Sequence, residues 1–434
     1  MIALRQIRVA VLATCLAASV AGCSSSGDST VASPATTTAT TAAPANPALN
    51  TIDPAAFQAA VAAVAKELRV PGAFVLVRTP QGTVTAPYGT TEIGTQKPPA
   101  ADTHFRIASN TKTMTAALVV LLAQDGKLTF SDPVSTYVPQ VPNGENITVA
   151  ELLTMRSGLY GYTADPALAT MMDADFDKVW TPQEVLDIAF THPPRFAPDA
   201  EYEYSNTNYV LLGLIAEKVG GRPLRDQLKD RLFAPVGLTH TLLPAPNDTA
   251  IPAPYSHGYM FGGSFYALAD DPYPADMQAA AEAGTLKPID YTNQSASYAE
   301  AAGGAISTAD DLATWMKALV TGKLFDADFQ DRWLNSLQAE DPDAPDGQKY
   351  GYGISYQRFG PDAAMFYHGG ELPGFNSFMG YDPDNDVALV IWTNLTLSPD
   401  GRTTAQGMLT TVLDEIYADL SLSAPPSTPT PTTR

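Results

Sequence analysis

The chain predicts an α/β (α+β) fold: an antiparallel sheet flanked by terminal helices and interrupted by a mostly helical insertion. Three observations point there. Strand-like runs sit near both ends, at 73–88 and at 350–392. Between about 128 and 298, helical segments alternate with Pro- and Gly-rich connections. The segment 114–123 is apolar on nearly every side and stops at Asp125-Gly126, which marks a buried helix with a C-cap.

The first helix opens at Asp53-Pro54, an N-cap followed by Pro at the first helical position. Phe57, Val61, Val64 and Leu68 recur at helical spacing on one face. Val70-Pro71-Gly72 ends it, and 73–79 and 83–88 read as a hairpin turned at Gln81-Gly82. In the insertion, 149–155, 182–190, 209–219 and 224–232 read as helices, and 260–291 as long loops. A helix at 310–319 follows Gly303-Gly304. Four short β runs at 350–359, 363–367, 375–381 and 387–392 then imply a meander, and 403–420 closes as a helix. The early hairpin and the late meander can share one sheet. The junction with the helical insertion is the default place for a cleft and a site.

The expected organisation is a signal peptide at 1–22, a Ser/Thr/Pro/Ala tether at 23–50, a folded domain at 51–420 with its insertion at about 128–298, and a disordered tail at 421–434. Arg5 and Arg8 precede an apolar segment, 9–21, too short to remain as a membrane span. The net charge of −21 excludes the basic face that nucleic acid requires, and disfavours attraction to anionic lipid. Of the two cysteines, Cys15 lies in the leader, so no disulfide within the mature chain is expected. His104, His192, His240, His257 and His368 are scattered without metal-ligand spacing, so no metal or other cofactor is expected.

The chemistry-bearing residues begin with Ser109 and Lys112. Three apart at the start of the buried helix, they share one helical face. An amine beside a hydroxyl makes little structural sense there, and makes chemical sense if Lys112 takes the proton from Ser109. A second place is Tyr204-Ser205-Asn206, at the mouth of an apolar helix, where Tyr204 and Asn206 point the same way from an extended segment. A helix N-cap is the structural alternative for it. A third is His368-Gly369-Gly370 at a strand end, followed by Glu371. Gly303-Gly304 and its surroundings read as a structural turn and N-cap. There is no Gly-x-Ser-x-Gly elbow and no phosphate loop.

Ser-x-x-Lys, then Tyr-x-Asn, then His-x-Gly, in this order, resembles the serine β-lactamase and penicillin-recognising DD-peptidase superfamily. It is most similar to the class C β-lactamase-related branch of DD-carboxypeptidases, D-aminopeptidases and esterases. The resemblance extends over Pro71-Gly72-Ala73, Phe105-Arg106-Ile107-Ala108-Ser109, 204–213, 303–312 and 368–394, nearly the whole of 53–420. It implies a β-lactamase/transpeptidase-like fold with Ser109 as the acylated nucleophile, Lys112 as its activator and Tyr204 as a proton shuttle. By the same resemblance Asn206 orients lysine and substrate, and His368 and Gly370 line the cleft. The backbone N–H groups of Ser109 and Glu371 would form the oxyanion hole. Val20-Ala21-Gly22-Cys23 likewise resembles a bacterial lipobox, which implies lipidation at Cys23 and a protein anchored to the outer face of the cell membrane.

Lysine can act as a base only when neutral. Lowering its pKa from about 10.4 to roughly 7–8 takes on the order of 4 kcal/mol of desolvation or like-charge repulsion. Alternatively Lys112 stays charged and holds Tyr204 as a phenolate base. Both remain open at this point. The family's hydroxyl residues in the strand motif are replaced by Gly369 and Glu371, which disfavours a substrate carboxylate and favours an ester or a free amine. Met155-Arg156-Ser157-Gly158-Leu159 departs from the usual His-Thr-Ser-Gly-Leu, as a packing difference. The expectation is an acyl-enzyme hydrolase of amides or esters, with a D-alanyl-D-alanine carboxypeptidase or β-lactamase-like enzyme leading and a peptidoglycan stem peptide as its possible substrate. A carboxylesterase or D-aminopeptidase, and a non-catalytic cell-wall-binding protein, are the alternatives. A monomer is expected.

Overall fold

The computed structural model describes residues 46–269 and 272–420. The leader, Cys23, the tether up to residue 45 and the tail from 421 lie outside the described residues. Asp53 caps helix α1 (Pro54–Glu67) by accepting from the Ala56 N–H, as its position before Pro54 predicts. Strands β1 (Gly72–Thr79) and β2 (Gly82–Gly89) form the hairpin. The short strand β3 (Phe105–Arg106) leads through a 3-10 turn, Ala108–Asn110, into α2 (Thr111–Gln124). After α2 come helices at Val149–Leu153, Pro166–Ala174 and Pro182–Phe190, then α3 (Asn206–Gly220). The region read as long loops is more ordered than its aperiodic sequence suggests. It holds helices Phe265–Leu268 and Ala275–Glu282 and a two-stranded pair, Tyr259–Met260 with Ile289–Asp290. These elements are too short to leave a period in the sequence.

A single-turn helix α4 (Glu300–Gly303), strand β4 (Ile306–Ser307), which pairs with β3, and helix α5 (Ala309–Val320) return the chain to the sheet. Strands β5 (Gln338–Ala339), β6 (Lys349–Tyr350), β7 (Ser355–Arg358), β8 (Ala364–Leu372), β9 (Phe375–Asp382) and β10 (Val387–Thr393) precede the closing helix α6 (Thr404–Ile416). The sheet has eight antiparallel strands in the order β2-β1-β10-β9-β8-β7-β6-β5, so the first hairpin docks on the last strand. Ala73 pairs with Thr393 and Val75 with Ile391 in that join.

Both faces of the central strands are covered. Ala73, Val75, Val77, Leu389 and Ile391 pack with Phe57 and Val61 of α1 and Met408 and Val412 of α6. Phe74, Leu76, Val390 and Trp392 point the other way, into a core with α2 and Trp315 of α5. Double burial explains why β10 is an unbroken apolar run with no polar alternation. Every residue of α2 from Thr111 to Ala123 is buried, which is why its sequence shows no polar face. The packed body begins earlier than composition indicates. Asn50 N–H donates to the Ile416 carbonyl, Ala418 N–H donates to Ala48, and Leu49 is buried. Among the described residues no helix is long and apolar enough to cross a membrane.

Candidate active site

Ser109 does not lie on the α-helix itself. It sits in the 3-10 turn just before it, after Ala108, whose φ of +50° is in the left-handed region. The turn is tied down on two sides. On one side Ile107 N–H donates to the Ala305 carbonyl at 3.1 Å, and Ala305 N–H donates to Thr111 Oγ1 at 3.1 Å. On the other side Asn110 Nδ2 donates to Ser377 Oγ of β9 at 2.8 Å. Gly370 of β8 closes against the same turn: a Cβ there would stand 2.3 Å from the Ile107 carbonyl oxygen and 2.6 Å from Ser377 Oγ. Contrary to the sequence reading, β8 does not stop at His368. It continues to Leu372, carrying both glycines inside the ladder opposite Phe378 and Ser377.

Lys112, one residue into α2, is completely buried. Its Nζ lies 2.9 Å from Ser109 Oγ, 2.6 Å from Asn206 Oδ1 and 2.7 Å from the Ala302 carbonyl oxygen. Burial holds its pKa well below the ordinary lysine value, and no carboxylate forms an ion pair with it among the described residues. Two of the three neighbours are carbonyl oxygens, which only accept; the third, the Ser109 hydroxyl, accepts from the amine when it is charged and can donate to it when it is neutral. Asn206 is held in turn by Thr163, whose Oγ1 accepts from Asn206 Nδ2 at 3.1 Å. The ring of Tyr204 lies with its centroid 4.8 Å from Lys112 Nζ, and Tyr204 is 40% exposed.

His368 is buried, with its ring centroid 6.2 Å from that of Tyr204. Its Nδ1 meets the Gly369 carbonyl at 2.5 Å and its Nε2 meets Tyr350 Oη at 3.2 Å. Nδ1 therefore carries the proton and Nε2 accepts from the tyrosine. Burial first, and the neighbouring Lys112 second, pull its pKa down to about 3, so the ring is neutral at ordinary pH. Ser109, Asn206, Thr163, Ala302, Tyr298 and Glu371 line one cleft. Glu371 Oε2 accepts from Asn376 Nδ2 at 3.0 Å.

The six expected residues of the folded domain other than Glu371 thus gather around one hydroxyl or brace it, and Glu371 lines the same space. Two contributors were missed. Thr163 carries no motif of its own. The Ala302 carbonyl lies one residue before the 303–308 segment read as structural; the N-cap of that segment at Thr308, which accepts from Asp311 N–H, is real, but the main chain just upstream of it holds the lysine. Arg156, at the departure from the usual pentapeptide, donates from Nη2 to the Ala339 carbonyl of β5, so it ties the helical region to the edge of the sheet.

Comparison with known proteins follows this geometry. A family profile described as Beta-lactamase matches residues 57–412. The chain is 25% identical over 293 residues to "Putative penicillin-binding protein PbpX" of Bacillus subtilis (strain 168), covering 68% of this chain and 62% of that protein. It is 25% identical over 338 residues to "Protein flp" of Staphylococcus aureus (strain MW2), covering 75% and 60%. It thus spans about three fifths of the length of these curated relatives. Among solved structures, a D-stereospecific amidohydrolase from Streptomyces sp. superposes with a TM-score of 0.69 at 30% identity, covering 82% of this chain and 97% of that one. The D-amino acid amidase from Ochrobactrum anthropi SV3, complexed with L-phenylalanine amide, gives 0.68 at 27% identity, covering 83% and 98%. The shared fold is the β-lactamase/transpeptidase-like one, and the chain belongs to the Beta-lactamase family of serine hydrolases.

Proposed function

We propose that the protein is a serine hydrolase that forms an acyl-enzyme on Ser109, and that its substrates are amides or esters whose acyl part carries a free amine. The observation that carries this is the triple contact of the buried Lys112 amine, with two acceptors and one hydroxyl. In this reading the Ser109 proton passes to Lys112 Nζ as Oγ bonds to the substrate carbonyl carbon. The carbonyl oxygen becomes an oxyanion beside the N–H groups of Ser109 and Glu371, each donor contributing roughly 3 kcal/mol to the transition state. The leaving amine or alkoxide takes a proton by way of Tyr204 and departs. Water then attacks the ester on Ser109, gives up a proton to the same base, and releases the acid while Oγ regains its hydrogen.

The substrate reading rests on charge. The only formally charged side chain other than Lys112 in the described cleft belongs to Glu371, and no arginine is there to receive a terminal carboxylate. The D-amino acid amidase from Ochrobactrum anthropi SV3, by its name an enzyme of D-amino acid amides, agrees with an amine-bearing substrate. A D-alanyl-D-alanine carboxypeptidase at the cell envelope, held by a lipid on Cys23, is the second reading. It is favoured by the penicillin-binding relative at 25% identity.

The test is a panel of D-amino acid amides, short p-nitrophenyl esters, D-alanyl-D-alanine peptides and a cephalosporin, with mass spectrometry of the trapped enzyme. The proposal expects an adduct on Ser109, loss of turnover in S109A, and faster hydrolysis of the amine-bearing amides than of peptides ending in a carboxylate. The reverse order selects the carboxypeptidase. Turnover of neutral esters alone selects a carboxylesterase. Equal behaviour of S109A and the wild type on every substrate removes the catalytic reading and leaves a binding protein.

A further inference from the structure

The stretch that carries Tyr204 and Asn206 is gripped by one residue from outside it. Met155 is fully buried and has φ of +61°, a left-handed conformation that costs energy for a residue with a side chain. In that conformation it presents two different acceptors to the same stretch. Its carbonyl oxygen accepts from Glu203 N–H at 3.1 Å. Its thioether sulfur accepts from Ser205 N–H at 3.4 Å and from Asn208 Nδ2 at 3.6 Å. The three donors belong to positions 203, 205 and 208, so they bracket Tyr204 and Asn206 on both sides.

The orientation of Asn208 follows from its other end. Ser157 Oγ accepts from Leu159 N–H and donates its own proton to Asn208 Oδ1 at 2.6 Å, which turns Nδ2 toward the sulfur. A thioether is a weak acceptor. Ser205 and Asn208 are nonetheless buried, and neither donor has another partner among the described residues. Without the sulfur, two desolvated N–H groups are left unpaired at the base of the catalytic stretch.

We propose that Met155 is a positioning residue for the reaction: its sulfur, acting as a hydrogen-bond acceptor and not only as core filling, sets where Tyr204 and Asn206 stand relative to Lys112. The sequence comparison treats this position as a change of packing; the contacts give it a polar task. The inference rests on the proposed function, in which Asn206 steadies the Lys112 amine. It adds that the 2.6 Å contact between them depends on a residue that touches neither the lysine nor the substrate. Misplacement of a catalytic group by about 1 Å costs up to 10²-fold in rate.

The experiment compares the full-length wild type, M155L and S109A on a short p-nitrophenyl ester across pH. Leucine keeps the volume and removes the acceptor. M155L is expected to lose kcat by ten- to a hundredfold with KM changed less than threefold. Its acid limb of kcat/KM is expected to move to lower pH, because a loosened Asn206 Oδ1 stabilises the protonated lysine less. The wild type is also made with selenomethionine, which retains an acceptor, and with norleucine, which does not. The selenomethionine protein should match the wild type and the norleucine protein should fall, and norleucine should add no such loss in M155L. If M155L does not fold, norleucine placed at position 155 alone takes its place, because the chain has other buried methionines that general replacement would also change. An unshifted acid limb in M155L, or equal rates for the selenomethionine and norleucine proteins, overturns the inference while leaving the function intact. Full activity in S109A overturns the function itself.

Discussion

Replacing Lys112 with methionine separates what the buried amine does for catalysis from what it does to stability. Methionine fills a similar volume and removes both the base and the ionisable group. Loss of a general base lowers acylation by about 10²–10⁴-fold. Stability responds differently. Burial holds the folded-state pKa of Lys112 well below its ordinary value, while the unfolded chain titrates near 10.4. Between those two values the unfolded state binds a proton that the folded state does not. Wild-type stability therefore rises with pH across that window, by at most about 1.4 kcal/mol per pH unit. K112M lacks this dependence. It also leaves Asn206 Oδ1 and the Ala302 carbonyl without their donor, at about 1–3 kcal/mol each, but that offset does not change with pH. The stability of K112M relative to the wild type should therefore fall as pH rises through the window below about 10.4, by at most about 1.4 kcal/mol per pH unit. Urea unfolding at three pH values in that range measures it. Parallel dependences in the two proteins would mean that Lys112 stays protonated in the fold throughout, which would refute it as the neutral base and favour a phenolate at Tyr204.

Three other variants probe neighbouring parts of the site. G370A places a Cβ 2.3 Å from the Ile107 carbonyl oxygen and should destabilise by about 1–3 kcal/mol and cut turnover at least tenfold, whereas in G369A the new atom meets only the end of the Gln406 side chain at 2.7 Å and stability should hold; thermal melts and initial rates separate the two. E371Q should narrow the preference for amine-bearing over neutral esters by about tenfold, the equivalent of about 1.5 kcal/mol for a charged hydrogen bond, read from paired kcat/KM values. Glu300 opens α4, and burial raises its pKa to about 7. The folded state thus binds the extra proton between the usual carboxylate range and 7, and wild-type stability declines as pH rises through that interval. E300Q should therefore gain on the wild type from pH 4.5 to pH 7.5 and hold that advantage above it, by denaturant titration.

The legible parts of this protein were those written in periodicity. The paired terminal elements, the meander and the all-apolar α2 each leave a repeating pattern, and the hydroxyl–amine pair of Ser109 and Lys112 announces itself because burying such a pair has no structural motive. Tyr204 and Asn206 became readable through their order relative to Ser109 and the histidine strand. What stayed hidden depends on main-chain atoms or on single contacts. Ala302 holds the lysine through its carbonyl, so its alanine side chain says nothing about the task. Thr163 and Met155 act through one hydroxyl and one sulfur, each with a partner more than forty residues away in the chain. The strand β8 was read as ending early because glycines usually break strands, whereas here the close approach of the turn bearing Ser109 requires Gly370 to remain in the ladder.

The Ala302 carbonyl has one more implication. Every amino acid supplies the same oxygen at that position, so a saturation scan of this buried alanine would report how well each side chain packs and not the grip from which the amine hangs. Tuning that grip by protein engineering means shifting the backbone, through the neighbouring glycines or the length of the segment, and a library of side-chain replacements would pass over it.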